Sequence, residues 1–304
     1  MVSESAPGVT ASSLQIRERS AVLRWLDYAR SFARHKPLGA FGAVVLVLLV
    51  LMAVFAEFVA PFGSLETNQS IALEGPSFTH IAGTDQFGRD VFSRIVFGAR
   101  TSLYVGVSVT LAAMLPALAL GIVSAYFGGW VDYLLQRLVD TIQSVPYLIL
   151  LIAIMVILGP SLLNVILALS FRRAIVESRI MRGATLSILN ETYIDAAHAI
   201  GARDLRIMAR HVLPNIMPTV IVIASIGFGG VILAEASLSF LGYGVPPPTP
   251  SWGGMLASDG RAYMFAAPWM LIAPTIALGV VVFGVNMFGD ALRDVLDPRL
   301  RGST

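Results

Sequence analysis

Arg172, Arg173 and Glu177 interrupt an apolar stretch of this chain. Arg173 and Glu177 are four residues apart, a spacing that pairs them along one face of a helix. A guanidinium is built to recognise carboxylates and phosphates, and an ionisable group at membrane depth is read as functional by default. Two readings stand for the arginines. Either Arg172 or Arg173 lines a pathway and meets an anionic group of a solute, or both snorkel to the headgroups or pack against a partner. Glu235 lies among Ala234, Ala236, Ser237 and Ser239. Small residues let helices approach closely, so Glu235 reads as a hydrogen-bonding residue at a helix contact, with proton coupling as the alternative. Asp140 is expected to pair with Arg137 or with a neighbouring helix end.

The residues for catalysis are missing or scattered. His35, His80, His198 and His211 are the only histidines, and none forms a HExxH or paired-ligand pattern, so no protein metal site is expected. There are no cysteines, which excludes disulfides and thiolate ligands. The single lysine, Lys36, stands in RHKPLG, which does not match the phosphate loop G-x-x-x-x-G-K-[ST]. The chain is therefore read as non-catalytic and without a bound cofactor, and energy for any work must come from another subunit or an ion gradient. Asp85, Arg89, Asp90, Arg94 and Arg100, interleaved with Gly83, Gly88 and Gly98, read as an ion-paired cap, a metal site being the alternative.

The other informative stretch is YIDAAHAIGARDLRIMARHVLP at 193–214. It reads as two short helices broken at Gly201. In the second, Arg203, Arg206 and Arg210 share one face, with Leu205, Met208 and Val212 opposite and Ile207 spoiling the separation slightly. Leu213-Pro214 is expected to end it. Such an element either docks in a groove of a partner or lies on the membrane surface.

The elements that must hold these residues follow from composition. Only 13% of the 304 residues are charged, 56% are hydrophobic and the mean hydropathy is +0.76. A soluble domain has roughly 25% charged residues, so an all-α polytopic membrane protein is expected. Six transmembrane helices are placed at about 38–60, 101–126 (kinked at Pro116), 136–158 (with Pro146 inside), 162–184, 217–241 and 268–290. Residues 1–37 form a tail, 14–34 having the pattern of a surface helix, and 38–304 form the transmembrane domain. The first apolar run is too long for a secretory signal core of about 7–15 residues and reads as a retained span. Six spans put both tails on one side. With the tails inside, that side carries fifteen basic residues against Arg89, Arg94, Arg100 and Arg261 outside. The excess of Lys and Arg marks the cytoplasmic side. The tails and the 185–215 insert are thus placed inside, and 61–99 and the GYGVPPPTPSWGG loop outside.

Asp195-Ala196-Ala197, Gly201 and Leu213-Pro214 resemble the EAA loop of bacterial ABC-importer permeases, with aspartate where glutamate is usual. GTDQFGRDVFSRIVFGAR (83–100), LAEASLSFLGYGVPPPTPSWG (233–253) and GDALRDVLDPRLRG (289–302) resemble the C-type membrane subunit of the dipeptide, oligopeptide and nickel importers. Arg172, Arg173 and Glu177 depart from that family, which has small, aromatic or proline residues there. The resemblance implies a type I importer fold in the bacterial inner membrane. It implies a B-type permease partner, two ATPase subunits that bind ATP and Mg, and an extracytoplasmic solute-binding protein, with no nucleic acid. It assigns Asp195, Ala196, Ala197, Gly201, Leu213 and Pro214 to coupling with the ATPases. The competing classes are an ion-coupled secondary transporter and a membrane-anchored structural or sensor protein.

Overall fold

The structure is a computed structural model that describes residues 30–296. The surface helix expected over 14–34 lies outside the described residues except for its end, which is helical over 30–35, and Arg299 and Arg301 also lie outside them. The chain divides at Pro37, and the larger unit begins at Leu38. Among the described residues there is no strand, only the isolated bridge between Thr84 and Asp90.

Long apolar runs become long helices. Helix α1 spans Pro37–Val54 and the short α2 spans Ala56–Val59. Helix α3, Val91–Phe127, starts within the 61–99 segment, before the expected start of the second span at about 101, and carries Pro116 inside it. Asp90 caps it by accepting from the Ser93 amide at 2.7 Å, satisfying a donor that the first turn leaves open. Helices α4 (Gly129–Gln143), α5 (Tyr147–Leu158), α6 (Leu162–Leu189), α7 (Thr192–Ala199) and α8 (Asp204–Ile207) follow. Helix α9 is Leu213–Phe240, and after a loop come α10 (Trp252–Leu256), α11 (Ser258–Ala262) and α12 (Trp269–Leu296).

Among the described residues, four helical stretches are long and apolar enough to cross a bilayer: Pro37–Val54, Val91–Phe127, Asp204–Phe240 and Trp269–Leu296. The third expected span, 136–158, is not one helix. Helices α4 and α5 meet at 89°, and Pro146 is the N-cap of α5 instead of an interior residue. Proline bars the preceding residue from helical geometry, so the chain turns there, and the pair makes a fifth candidate span. The fourth expected span, 162–184, falls within α6, which is not among these stretches although it has 28 residues, about 42 Å at 1.5 Å per residue. It carries five charged residues between Arg172 and Arg182, and most of these are paired inside the bundle.

Helix α6 lies along α3. Gly121 permits this, since a Cβ there would meet the Ser178 carbonyl at 2.7 Å. Small buried residues Ala113, Ala117 and Ala174 continue the contact. A second cluster joins α3, α5, α6 and α9 through Val109, Leu151, Leu169 and Leu238. A third packs α1, α9 and α12 around Trp252. The outward residues Leu115 and Ile157 are well exposed, which suits hydrocarbon better than water.

The residues before α3 form the ion-paired cap that the charge pattern suggests. Asp85 Oδ2 accepts from Arg89 Nε at 2.6 Å, and its Oδ1 accepts from the Phe87 and Arg89 amides. His80 Nδ1 lies 2.9 Å from Asp90 Oδ1, with both residues buried. Two tryptophans far along the chain hold this region: Trp269 donates to the Thr84 carbonyl at 3.0 Å, and Trp252 to that of Ile95 at 2.9 Å.

Candidate functional site

The insert is built between two long helices. α6 runs to Leu189, α7 begins at Thr192, and from Asp204 the chain stays helical to Phe240. Leu213-Pro214 therefore does not end the segment. Residues 208–212 form a π-turn in which the Leu213 amide donates to the Met208 carbonyl, and Pro214 sits at the start of α9. A π-turn widens the helix by one residue, and widening just before a proline relieves the clash that its ring makes with the preceding turn.

Helix α7 ends in a Schellman motif. The Ala202 amide donates to the Ala197 carbonyl at 3.1 Å and the Gly201 amide to that of His198 at 2.9 Å, the paired bonds that close such an end. Gly201 has φ of +79°, the left-handed region that glycine occupies without penalty. A Cβ there would meet nothing within 4 Å, so the requirement is conformational and not steric.

One side of this element is sealed into the bundle. Ile194, Ala197, Ile207 and Val212 are buried with Met114 and Ile122 of α3, Met181 of α6 and Ile216 of α9. Tyr126 at the end of α3 donates to Asp204 Oδ1 at 2.7 Å. The face expected to be apolar divides in the structure. Ile207, which spoils the separation in the sequence pattern, and Val212 are fully buried and anchor the second helix, whereas Leu205 of the same expected face is 74% exposed. The register is set by where α9 places the π-turn, and the extra residue of that turn rotates the positions before it.

The opposite side is open. Asp195 and Ala196 are exposed, Ile200 is 85% exposed, and Asp195 has no ion pair or side-chain hydrogen bond among the described residues. Tyr193 is raised above the ordinary phenol range by desolvation and by the neighbouring Glu191, so it stays neutral. Gly201, Arg203, Leu205, Arg206, Ala209 and Arg210 line a groove of about 610 Å³. The open side thus presents an apolar tip flanked by arginines.

The charged trio lies farther back along α6. Arg173 Nε donates to Glu177 Oε1 at 2.6 Å, Nη1 to Thr110 at 3.0 Å and Nη2 to the Ile223 carbonyl at 3.3 Å. These bonds tie α6 to α3 and α9. Gly227 leaves room for this guanidinium, since a Cβ there would stand 2.1 Å from Nη2. Arg172 is separate, with its guanidinium carbon 5.3 Å from the Tyr147 ring centre. Glu235 is fully buried and its Oε1 accepts from Ser239 at 2.7 Å, within its own helix. Asp140 pairs with Arg179 of α6, not with Arg137, and is about half exposed. Sequence reasoning missed the firmer link beside it, in which Asp132 of α4 takes a bidentate pair of 2.6 Å bonds from Arg182. Nothing local brings two residues fifty positions apart together.

A bundle of long apolar helices interrupted by an amphipathic element with one open face defines a membrane transport subunit. Residues 117–302 match the family described as binding-protein-dependent transport system inner membrane component, and residues 24–76 match the N-terminal TM domain of oligopeptide transport permease C. The chain is 41% identical to the dipeptide transport system permease protein DppC of Alkalihalophilus pseudofirmus, over 93% of this chain and 92% of that one. It is 38% identical to the glutathione transport system permease protein GsiD of Pectobacterium atrosepticum, over 94% and 95%. Among solved structures it resembles an inward-facing form of the MetNI methionine ABC transporter, with a TM-score of 0.56 at 19% identity over 67% of this chain and 96% of that one. That likeness gives a type I importer fold. The chain belongs to the family of binding-protein-dependent transport system inner membrane components.

Proposed function

We propose that this chain is the transmembrane permease subunit of a bacterial ABC importer for peptides or a related small solute, and that residues 192–212 couple it to ATPase subunits. The relatives named for dipeptide and glutathione transport support the substrate class. The observation that carries the coupling is the position of the element: its buried side is anchored on α3, α6 and α9, its other side is open, and α6 and α9 leave it to flank the Arg172–Arg173 region. In this reading Asp195 and Ala196 face the ATPase, Ala197 and Gly201 shape the element, and Leu213 and Pro214 join it to α9. The tails and the element lie in the cytoplasm. A B-type permease completes the pathway, two ATPases hold ATP and Mg, and a solute-binding protein delivers from outside. Closure of the ATPases shifts the population between two packings of the bundle.

The test is uptake and ATP hydrolysis by the assembled importer in proteoliposomes. Leu205→Asp and Gly201→Val are expected to separate hydrolysis from uptake while the subunit remains assembled in the membrane. Normal ATP-driven uptake in both variants contradicts the coupling role. Uptake abolished by collapsing a proton gradient with ATP present would instead support the ion-coupled carrier.

A further inference from the structure

Helices α5, α6 and α9 line an open cavity of about 270 Å³, with Tyr147, Arg172, Arg173, Glu177, Gly230 and Ala234 among its walls. Its two arginines are in opposite situations. Every nitrogen of Arg173 has a partner, whereas Arg172 has no ion pair or hydrogen bond among the described residues, and its buried Nε is unpartnered. With Glu177 held by Arg173, the trio carries one net positive charge, and Arg172 holds it. The Tyr147 face steadies that cation but accepts none of its hydrogen bonds. A planar guanidinium in this state is satisfied by a two-oxygen acid, which it can bind bidentately.

We propose that Arg172 forms an anion subsite in this cavity and takes the carboxylate of the solute being carried. The proposal rests on the transport reading above and adds a residue and a chemical group to it. The cavity is too small for a phospholipid with its chains but admits the carboxyl end of a short peptide. Its far wall is free, since a Cβ at Gly230 would meet nothing within 4 Å. α6 and α9, which line it, are also the two helices that emerge from the 192–212 element, so movement of that element changes the width of the site.

The chain has no cysteine, so Gly230→Cys places a single thiol on the cavity wall of the assembled importer. Its rates of reaction with an anionic and a cationic methanethiosulfonate are compared. The anionic reagent is expected to react faster, and Arg172→Gln to lower that preference about tenfold or more, as removal of a focusing charge does. Arg172→Lys should retain most of it, which separates loss of charge from misfolding. A preference unchanged by Arg172→Gln, or a thiol that neither reagent reaches, overturns the proposal. In proteoliposomes, Arg172→Gln should lower uptake of Ala-Ala relative to its C-terminal amide, and equal losses on both overturn the carboxylate assignment. If the unmodified importer takes up neither peptide, the peptide-transport reading fails, and the thiol rates still decide whether Arg172 makes an anion site.

Discussion

Arg173 and Glu177 form a buried pair, with side chains about one tenth exposed or less, and burial sets what their loss costs. Attraction between such charges offsets their desolvation only while both are present. Arg173→Met leaves Glu177 uncompensated and should destabilise the subunit by about 3–5 kcal/mol. The double variant Arg173→Met, Glu177→Leu should recover most of that. Thermal unfolding in detergent measures both, and a double variant no more stable than the single one would show that the pair is not the cause. Gly227→Ala should also be destabilising, by about 1–3 kcal/mol, because its Cβ would overlap the Arg173 guanidinium. Gly230→Ala, which faces open space, should not be.

At the scale of the element, the insert works because its faces differ. Ile207 is enclosed by α3, α6 and α9, and Ile207→Ala should cost about 2–5 kcal/mol by opening a cavity. Leu205→Ala on the open face should change stability by less than about 0.5 kcal/mol yet weaken ATP-driven uptake. Unfolding and uptake measured on the same two preparations check this. Equal destabilisation by both changes would place Leu205 in the core and remove it from the partner surface. Gly201→Ala should cost about 1–2 kcal/mol from left-handed strain alone.

For the whole molecule, the orientation argued from arginine placement makes a direct prediction. Ile200→Cys, exposed at the turn before Gly201, should react with a membrane-impermeant thiol reagent in inside-out vesicles and not in intact cells. Phe78→Cys, exposed in the segment placed outside, should behave in the opposite way. Labelling of both residues from one side would contradict an odd number of spans between them and overturn the assignment of the insert to the cytoplasm.

Composition and periodicity were enough to reveal a helical membrane protein, the charged trio and an amphipathic insert broken at Gly201, because lipid permits few backbone solutions and a glycine in left-handed geometry leaves a local mark. The pairing of Arg173 with Glu177 was legible for the same reason, being four residues along one helix. Tertiary structure alone decided that Pro146 divides a span at 89° instead of bending it, that Pro214 starts a helix through a π-turn, and that Ile207 and not Leu205 is the anchor. It alone separated Arg172 from Arg173, and joined Asp132 to Arg182 and Tyr126 to Asp204. These outcomes depend on which neighbouring helices supply hydrogen-bond partners and free volume, and such neighbours are distant in sequence.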